Sequence, residues 1–525
     1  MNRTRRITAL IAGLAAASLA FTACGVLWDP KPQGSSAPAP ERPSASQAPV
    51  VDGAPEGFES YYGQTLSWEA CEGADAGTYD CTTVTAPLDW TDPDSGEIEL
   101  AVIRRAAGSG SPLGSLLTNP GGPGASGYDL IADNATFAVG NDLADVYDVI
   151  GFDPRGVGRS TAVSCFDAKQ MDSYLFDIPA APRGSDAWEN ELAERNEEFV
   201  SACVDGSDGI LPFVTTDNAA RDLDLLRAVL GDEKLNYLGY SYGTFLGATY
   251  AKLFPERVGR LVLDGAIDPS VSGLDVGTTQ AVGFESALRA YMADCLEGRD
   301  CPFRGTVDDA MADLGTLLAS VDRSPLTGAD GRMLGADTLM TAIIAALYSQ
   351  DSWPYLSRAL SEVLSGSADT ALLLADFYFG RTPDGRYEDN STEAFRAYNC
   401  MDYPLDTSEA DQDAAQALIE QKAPTIAPYW QGVDVCEVWP APPTGVREKI
   451  TADGAAPIVV IGTTNDPATP YEWSVSLADQ LSSGVLITRV GEGHTGFNKG
   501  NACVDDAVTT YLIDGTAPSA DLRCE

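Results

Sequence analysis

Two short segments of the sequence combine residue types that perform nucleophilic catalysis. GYSYG, at residues 239–243, sets Ser241 between two glycines, and EGHTG, at 492–496, contains His494, the only histidine among 525 residues. A serine hydroxyl becomes a good nucleophile when an imidazole removes its proton, and the imidazole needs a carboxylate that orients it and stabilises its charge. These residues therefore predict a hydrolase that works through an acyl-enzyme.

The carboxylate should lie just past the end of a late strand. Asp466 follows the apolar run PIVVIG in the segment TTNDPATP, and it gives the chain order serine, aspartate, histidine that is expected of α/β-hydrolases. Asp264, in LVLDG, also stands at a strand end and is the alternative. We favour Asp466 because it precedes the histidine strand, whereas Asp264 can instead anchor the chain where it leaves the sheet.

Backbone amides must stabilise the oxyanion that forms during acyl transfer. One is expected from Tyr242, the residue after the nucleophile, and the other from an early glycine-rich loop. The segment TNPGGPGASG, at 118–127, follows an apolar run, and its glycines allow the backbone to approach a substrate closely. We predict Gly122 as the second donor; the alternative is that this segment is only a tight turn.

Seven short runs rich in apolar and β-branched residues predict the strands that position these groups. They lie at 98–106, 114–120, 147–153, 235–241, 260–265, 457–462 and 484–490. Several are continuously apolar, which indicates a mostly parallel sheet covered on both faces by helices. One helix is predicted from a cap at Thr216 or Asp217 to Gly231. It leads into the strand before Ser241, and a helical segment follows the serine, as a nucleophile elbow requires.

The N-terminal 60 residues are typical of an export leader followed by a tether. Three arginines precede an apolar run, so residues 1–23 are predicted as a signal peptide of lipoprotein type, with Cys24 as the lipidated residue. Ordinary signal cleavage nearby is the alternative. Residues 24–60, rich in Pro, Ser and Ala, predict a disordered tether. We therefore expect an exported protein that is anchored on the outer face of the cell membrane or secreted.

Removing Cys24 from the 11 cysteines leaves an even number, as expected when the thiols of an exported protein pair. Because short loops close at the least entropic cost, we predict five disulfides. The pairs are Cys71–Cys81, Cys165–Cys203, Cys295–Cys301, Cys400–Cys436 and Cys503–Cys524. A zinc site is disfavoured, since no two cysteines are spaced as C-x-x-C. No metal or cofactor is expected.

The formal net charge of −44 disfavours nucleic acid and anionic membranes as partners, because both repel an acidic surface. The only membrane contact expected is through the lipid, and a monomer is favoured. The residues after the tether are too many for one hydrophobic core, so we expect a main domain with a large insertion or a second domain. Because the pattern between 270 and 445 changes to helical segments, we predict a sheet domain in two parts, 61–269 and 446–525, separated by a helical insertion at 270–445.

Several longer motifs carry a resemblance to a known family. They are NPGGPG, YDVIGFDPRGVGRS, GYSYGTFLGATYAKLFPERVGRLVLDGAIDP and CEVWP. Together they resemble the secreted bacterial tripeptidyl aminopeptidases within the prolyl-iminopeptidase-like α/β-hydrolases, and the resemblance covers nearly all of residues 65–525. The first loop of that family usually reads H-G-G-P-G. Pro120 replaces the histidine here, as in the tripeptidyl branch.

The resemblance implies an α/β-hydrolase fold with a large helical cap over the active site. The residues it carries over are Ser241, Asp466 and His494 as the triad and Gly122 and Tyr242 as the oxyanion donors. DPRGVGRS recurs in hydrolases of many specificities, so we expect Arg155 to tie loops together through carboxylate contacts.

An aminopeptidase must also bind the ammonium group of its substrate. Asp402 and Glu437 are the candidates, because a Cys400–Cys436 disulfide would bring them close together. The alternative is that they are solvated surface residues, since the chain has 77 acidic side chains.

Three functions remain open from the sequence. The first is an exported serine exopeptidase that releases short peptides, with tripeptides favoured, from free N-termini. The second is a carboxylesterase or lipid hydrolase of the same fold, because the same triad cleaves esters. The third is a surface lipoprotein that binds peptides without cleaving them, which the three intact catalytic residue types disfavour.

Overall fold

A mostly parallel β-sheet forms the centre of the computed structural model, which describes residues 47–71, 78–404, 407–430 and 432–525. The strands are β1 (Glu69–Ala70), β2 (Asp80–Asp89), β3 (Asp92–Arg105), β4 (Ser115–Asn119), β5 (Asp148–Phe152), β6 (Leu235–Tyr240), β7 (Val258–Asp264), β8 (Leu326–Thr327), β9 (Met333–Leu334), β10 (Ile458–Asn465), β11 (Gly484–Glu492) and β12 (Leu522–Cys524). The predicted leader, Cys24 and much of the predicted tether lie outside the described residues.

Ten of these strands form one sheet within the described residues, in the order β1-β2-β3-β5-β4-β6-β7-β10-β11-β12. Pairing is parallel from β5 through β4 to β12 and antiparallel among β1, β2, β3 and β5. All seven predicted strands are present. The longest strand that was not predicted is β2, which pairs antiparallel with β3 over nearly its whole length.

Alternate side chains of the central strands enter two separate hydrophobic clusters. Ile458 and Val460 of β10 belong to one cluster, whereas Val459 and Ile461 belong to the other. Helices cover both clusters, so neither face of these strands meets water. Burial on both faces explains why the strands read as continuous apolar runs rather than as alternating patterns.

The helices lie before, between and after the strands. They are α1 (Glu59–Tyr62), α2 (Gly127–Val146), α3 (Ala168–Phe176), α4 (Asp186–Gly206), α5 (Thr216–Val229), α6 (Tyr242–Leu253), α7 (Gly273–Glu297), α8 (Val307–Arg323), α9 (Ala336–Leu347), α10 (Trp353–Leu364), α11 (Asp369–Tyr378), α12 (Ser391–Asp402), α13 (Glu409–Lys422), α14 (Tyr471–Gln480) and α15 (Ala502–Asp514). The predicted helix is α5, capped one residue earlier than expected: the Thr215 side chain accepts from the Asn218 amide.

Helices α7 to α13 stand between β7 and β10, and all of them except α12 share a hydrophobic core of their own, whereas the buried residues of α12 join a sheet cluster. Leu288, Leu314, Leu339 and Leu360 are fully buried in that core. We call the segment from α7 to α13 the cap. Ala468, from the loop that follows β10, also belongs to the cap core, so the cap packs directly on the edge of the sheet.

All five predicted disulfides are present. Arg155 is fully buried, and its guanidinium makes two 2.7 Å contacts with the carboxylate of Asp222 and donates to the carbonyls of Pro87 and Leu88. It thereby ties three segments together, as predicted. In the parts of the chain that the structure describes, no helix has both the length and the hydropathy needed to cross a membrane.

Candidate active site

Ser241 stands at the turn between β6 and α6, in a backbone conformation that non-glycine residues rarely adopt. Its φ is +55° and its ψ is −123°. The flanking glycines make the turn possible, because a Cβ atom at Gly239 would lie 2.4 Å from the carbonyl oxygen of Gly243. The Ser241 amide donates to the carbonyl of Asp264 at 2.9 Å, which fixes the turn to the end of β7. Backbone strain of this kind holds a side chain above the sheet edge.

His494 and Asp466 form a buried pair at the same edge. Nδ1 of His494 lies 2.9 Å from both carboxylate oxygens of Asp466. The carboxylate, only 3 % exposed, also accepts hydrogen bonds from the amides of Ala468, Thr469 and Thr495. Because an ionised carboxylate can only accept, the proton of the neutral imidazole belongs on Nδ1. Nε2 is then the basic nitrogen, and among the described residues it has no hydrogen-bond partner.

The end of β7 contacts both the nucleophile elbow and the imidazole. A Cβ atom at Gly265 would lie 3.1 Å from Cε1 of His494, and the preceding residue, Asp264, accepts from the Ser241 amide. The strand pairing explains this proximity, because β7 lies between β6, which ends at Tyr240, and β10, which ends just before Asp466. The ends of three neighbouring parallel strands thus gather the predicted nucleophile, acid and base.

Asp264, the alternative acid, holds the histidine loop instead of the histidine ring. Its fully buried carboxylate accepts from the amides of Gly496 and Phe497 at 2.8 Å. Burial raises the pKa of Asp264 to about 6. The ring of His494 is paired with Asp466, so the two carboxylates have separate tasks: one orients the imidazole and the other fixes the backbone that follows it.

The predicted oxyanion loop lies against the nucleophile elbow. A Cβ atom at Gly121 would be 2.8 Å from Cβ of Ser241 and 3.1 Å from the amide nitrogen of Tyr242. The Gly121 amide is already bonded to the side chain of Asn119 at 3.0 Å. Within the described residues, the amides of Gly122 and Tyr242 donate to no protein acceptor. Tyr242 also begins α6, and the amides at a helix N-terminus favour a negative charge.

Asp402, a candidate for binding the ammonium group of the substrate, is buried against Thr216 at the start of α5. Its carboxylate is 3 % exposed and accepts from the amide and the hydroxyl of Thr216, at 2.9 and 2.6 Å. The Thr216 hydroxyl in turn contacts the phenol oxygen of Tyr242 at 2.5 Å. Burial raises the pKa of Asp402 to about 6. The carboxylate therefore braces the elbow helix, and its oxygens are occupied by protein partners.

Glu437 is exposed and lines a cavity of about 870 Å³ at the cap. The cavity lies among α4, α7, α12, α13 and the short helix Val435–Val438. Its described lining includes the carboxylates of Glu189, Asp413, Asp434 and Glu437, the aromatic rings of Trp188, Phe395, Tyr403 and Trp430, and a single basic side chain, Arg396. Asp402 lines a different and smaller cavity. The Cys400–Cys436 disulfide is present, but it does not unite the two predicted carboxylates in one cavity.

The described lining of the large cavity includes none of the predicted triad or oxyanion residues, and two sets of packing contacts run from its wall towards them. Phe395 lies on α12, the helix that packs on the oxyanion loop: a Cβ atom at Gly124 would be 3.0 Å from the Phe395 amide. On the other side, Trp430 packs on Phe284, Phe284 on Tyr348 and Tyr348 on His494, with ring centroids 5.4–6.0 Å apart. Tyr348 was not among the predicted site residues, because no motif or residue type distinguishes it.

Within the described ranges, no group of three or more His, Cys, Asp or Glu side chains is arranged to hold a metal ion. The chemistry available at the sheet edge is that of a strained serine, an imidazole with a basic Nε2, an orienting carboxylate and two unpaired amides. This arrangement suits nucleophilic attack on a carbonyl carbon.

Comparisons with known proteins agree with this geometry. The family model described as "TAP-like protein" matches residues 423–524. "Serine protease Hip1" of Mycobacterium tuberculosis is 37% identical over 502 residues, which cover 90% of this chain and 94% of that protein. "Carboxylesterase B" of the same species is 39% identical, covering 93% of each chain. "Tripeptidyl aminopeptidase" of Streptomyces coelicolor is 32% identical, covering 87% of this chain and 86% of that protein.

Proposed function

The chain belongs to the tripeptidyl-aminopeptidase-like serine hydrolases of the α/β-hydrolase family, and from that premise we propose that it is an exported exopeptidase. Its substrates are peptides with a free N-terminus, from which it releases short peptides, tripeptides in particular. The relatives named as a serine protease and as a tripeptidyl aminopeptidase support a peptide substrate. The observation that carries the proposal is the acidic cavity of the cap.

In the proposed reaction, Nε2 of His494 removes the proton from the hydroxyl of Ser241 while Oγ attacks the scissile carbonyl carbon. Asp466 stabilises the imidazolium that forms and keeps the ring oriented. The amides of Tyr242 and Gly122 donate to the oxyanion. Collapse of the tetrahedral intermediate transfers the proton from His494 to the leaving amine. Water, activated by the same imidazole, then hydrolyses the acyl-enzyme and releases the short peptide.

The cavity suits the residues on the N-terminal side of the scissile bond. It is walled by α12, whose first turn contacts the oxyanion loop, and by Trp430, which packs towards His494 through two other aromatic rings. Four carboxylates against one guanidinium favour a cationic ligand. A free α-ammonium group meets that requirement and an N-acetylated terminus does not. A volume of about 870 Å³ accommodates a few residues but not a long chain.

A carboxylesterase is the second candidate, and the relative named "Carboxylesterase B" specifically favours it. The proposed triad would cleave an activated ester as readily as an amide. The two functions differ in what the cap cavity recognises. An esterase does not need to recognise an ammonium group of the substrate at a fixed distance from the reacting carbonyl.

The deciding experiment gives the leaderless protein Ala-Ala-Pro-Ala-nitroanilide, its N-acetylated twin and p-nitrophenyl butyrate, with products identified by mass. We expect hydrolysis of the free peptide with an intact tripeptide as the product, and little hydrolysis of the acetylated twin. Cleavage of the butyrate ester with both peptides left intact would establish the esterase and contradict the exopeptidase.

We also propose that the protein is a lipoprotein anchored through Cys24. Five disulfides support an oxidising compartment outside the cytoplasm. The N-terminal peptide of the mature protein from a bacterial host should begin at Cys24 and carry the mass of attached acyl chains, and Cys24→Ala should release the protein into the medium. An unacylated N-terminus at another residue would contradict the anchor.

A further inference from the structure

We propose that Tyr348 is a positioning residue through which the cap holds the catalytic base. This inference rests on the proposed function, because it takes His494 as the base. Tyr348 directly follows α9, and its carbonyl oxygen accepts a hydrogen bond from the His494 backbone amide at 2.9 Å. Its ring packs edge-on against the imidazole, with centroids 5.4 Å apart and planes at 89°.

Several hydrogen bonds hold the histidine loop, and one of them comes from the cap. Asp466 holds the ring, and Asp264 holds the amides that follow the histidine. The amide of His494 itself is held by Tyr348. Both carboxylates come from the sheet edge, so they position the base whether or not the cap is docked. The contact with Tyr348 exists only when the end of α9 lies against the loop.

The end of α9 is well suited to this contact. The last carbonyls of a helix have no intrahelical donor, and they carry the negative end of the helix dipole. The His494 amide satisfies one of them. The ring of Tyr348 also packs against the imidazole in a T-shaped arrangement, which limits the orientations that the imidazole can take. Tyr348 therefore acts on the base both through its backbone and through its ring.

Gly493 makes the close approach possible. Its φ is +91°, and a Cβ atom there would lie 3.0 Å from the Tyr348 carbonyl oxygen. Gly500 offers a matched control further along the same segment, because its φ is +81° and a Cβ atom there would meet no atom within 4 Å. Alanine at either position carries similar backbone strain, but only the Cβ atom of Gly493→Ala would crowd the Tyr348 carbonyl oxygen of the cap.

The first experiment uses the fact that His494 is the only histidine. The wild-type protein should show a single imidazole spin system in its ¹⁵N spectrum, with a low-field Nδ1 proton shared with Asp466. We expect Tyr348→Ala and Gly493→Ala to shift or broaden these resonances, whereas Tyr348→Phe, which keeps the ring and the carbonyl, should leave them close to wild type. Tyr355→Ala and Gly500→Ala are the controls, because Tyr355 is 58% exposed on α10 of the cap.

Kinetics separate positioning from substrate contact. With p-nitrophenyl acetate, which is too small to fill the cap cavity, Tyr348→Ala and Gly493→Ala should lower kcat by about 10- to 100-fold at nearly unchanged KM, the cost of a displaced catalytic group. Gly493→Ala keeps the test decisive if Tyr348→Ala fails to fold. A rise in peptide KM alone, with normal ester turnover and an unchanged imidazole spectrum, would overturn the inference and make Tyr348 a substrate contact.

The outcomes also separate this inference from the proposed function. If Ser241 is not labelled by a fluorophosphonate in the wild-type protein, or if His494→Ala retains full activity, then the proposed function fails and the inference fails with it. If both of those tests succeed while the Tyr348 and Gly493 variants behave like their controls, then only the inference is wrong.

Discussion

The carboxylates at the sheet edge and those in the cap cavity differ in their burial and in their hydrogen bonding. Asp466 and Asp264 are at most 3 % exposed, and backbone amides bind their oxygens. Glu189, Asp413 and Glu437 are exposed and face a cavity. A buried carboxylate whose oxygens accept hydrogen bonds is held in one position and can orient a catalytic group. An exposed carboxylate remains able to form an ion pair with a cationic ligand. This difference supports our proposal that the sheet edge serves catalysis and the cap cavity serves recognition.

The largest effect should come from removing the nucleophile at the sheet edge. Ser241→Ala is expected to lower kcat by roughly 10⁴- to 10⁶-fold for esters and peptides alike, because both pass through the acyl-enzyme. The thermal midpoint should stay near that of wild type. Ser361→Ala, at an exposed cap serine, is the control. If the variant lost peptide hydrolysis but retained ester hydrolysis, the division between a catalytic edge and a recognising cap would be wrong.

Sequence alone could predict the sheet edge because strand ends place residues at known positions. Ser241, Asp466 and His494 follow three apolar runs, and parallel strands bring their carboxyl ends to one edge whatever the loops between them do. Asp402 was misplaced because it lies on a helix, where the packing of neighbouring elements decides which side chain faces a cavity. No residue-type pattern could reveal Tyr348, because its contact to the base runs partly through a backbone carbonyl that every residue possesses.

A second test compares the two carboxylates within the sheet edge. Asp466→Asn should lower kcat by about 10³- to 10⁴-fold, because an amide can present its NH₂ to the imidazole and favour the wrong tautomer. Asp264→Asn should cost only about 10- to 100-fold, since it loosens the backbone after His494 without touching the ring. Steady-state kinetics with one nitrophenyl ester are sufficient. The reverse order of effects would identify Asp264 as the acid of the triad.

A smaller and more selective effect is expected in the cap cavity. Glu437→Gln combined with Asp413→Asn should raise KM several-fold for peptides with a free N-terminus, because an exposed ion pair contributes little. The KM values for N-acetylated peptides and for p-nitrophenyl butyrate should not change. Glu297→Gln, which neutralises an exposed carboxylate at the end of α7 outside the cavity lining, is the matched control. An equal rise in KM for acetylated peptides would show that the cavity does not recognise the amine.

Of the changes considered, a substitution of Glu393 should affect activity least. It nevertheless tests the comparison between buried and exposed carboxylates most directly, because Glu393 lies in the cap but is buried like the carboxylates of the sheet edge. It is 8 % exposed in the first turn of α12, and burial, reinforced by Asp389, raises its pKa from 4.5 to about 7. A carboxyl whose pKa is higher in the folded state gives stability that is complete below about pH 4.5 and is lost as the pH rises through about 7.

Glu393→Gln removes that titration, so its free energy of unfolding should fall less than that of wild type between pH 4.5 and pH 7.5, with a difference of the order of 2–3 kcal/mol. Denaturant titrations at several pH values measure it, with the exposed neighbour Glu388→Gln as the control. Asp264 and Asp402, whose pKa values burial raises to about 6, keep part of the pH dependence in every variant. A parallel pH dependence in wild type and Glu393→Gln would mean that Glu393 is solvated and, like Glu437, free to meet a ligand.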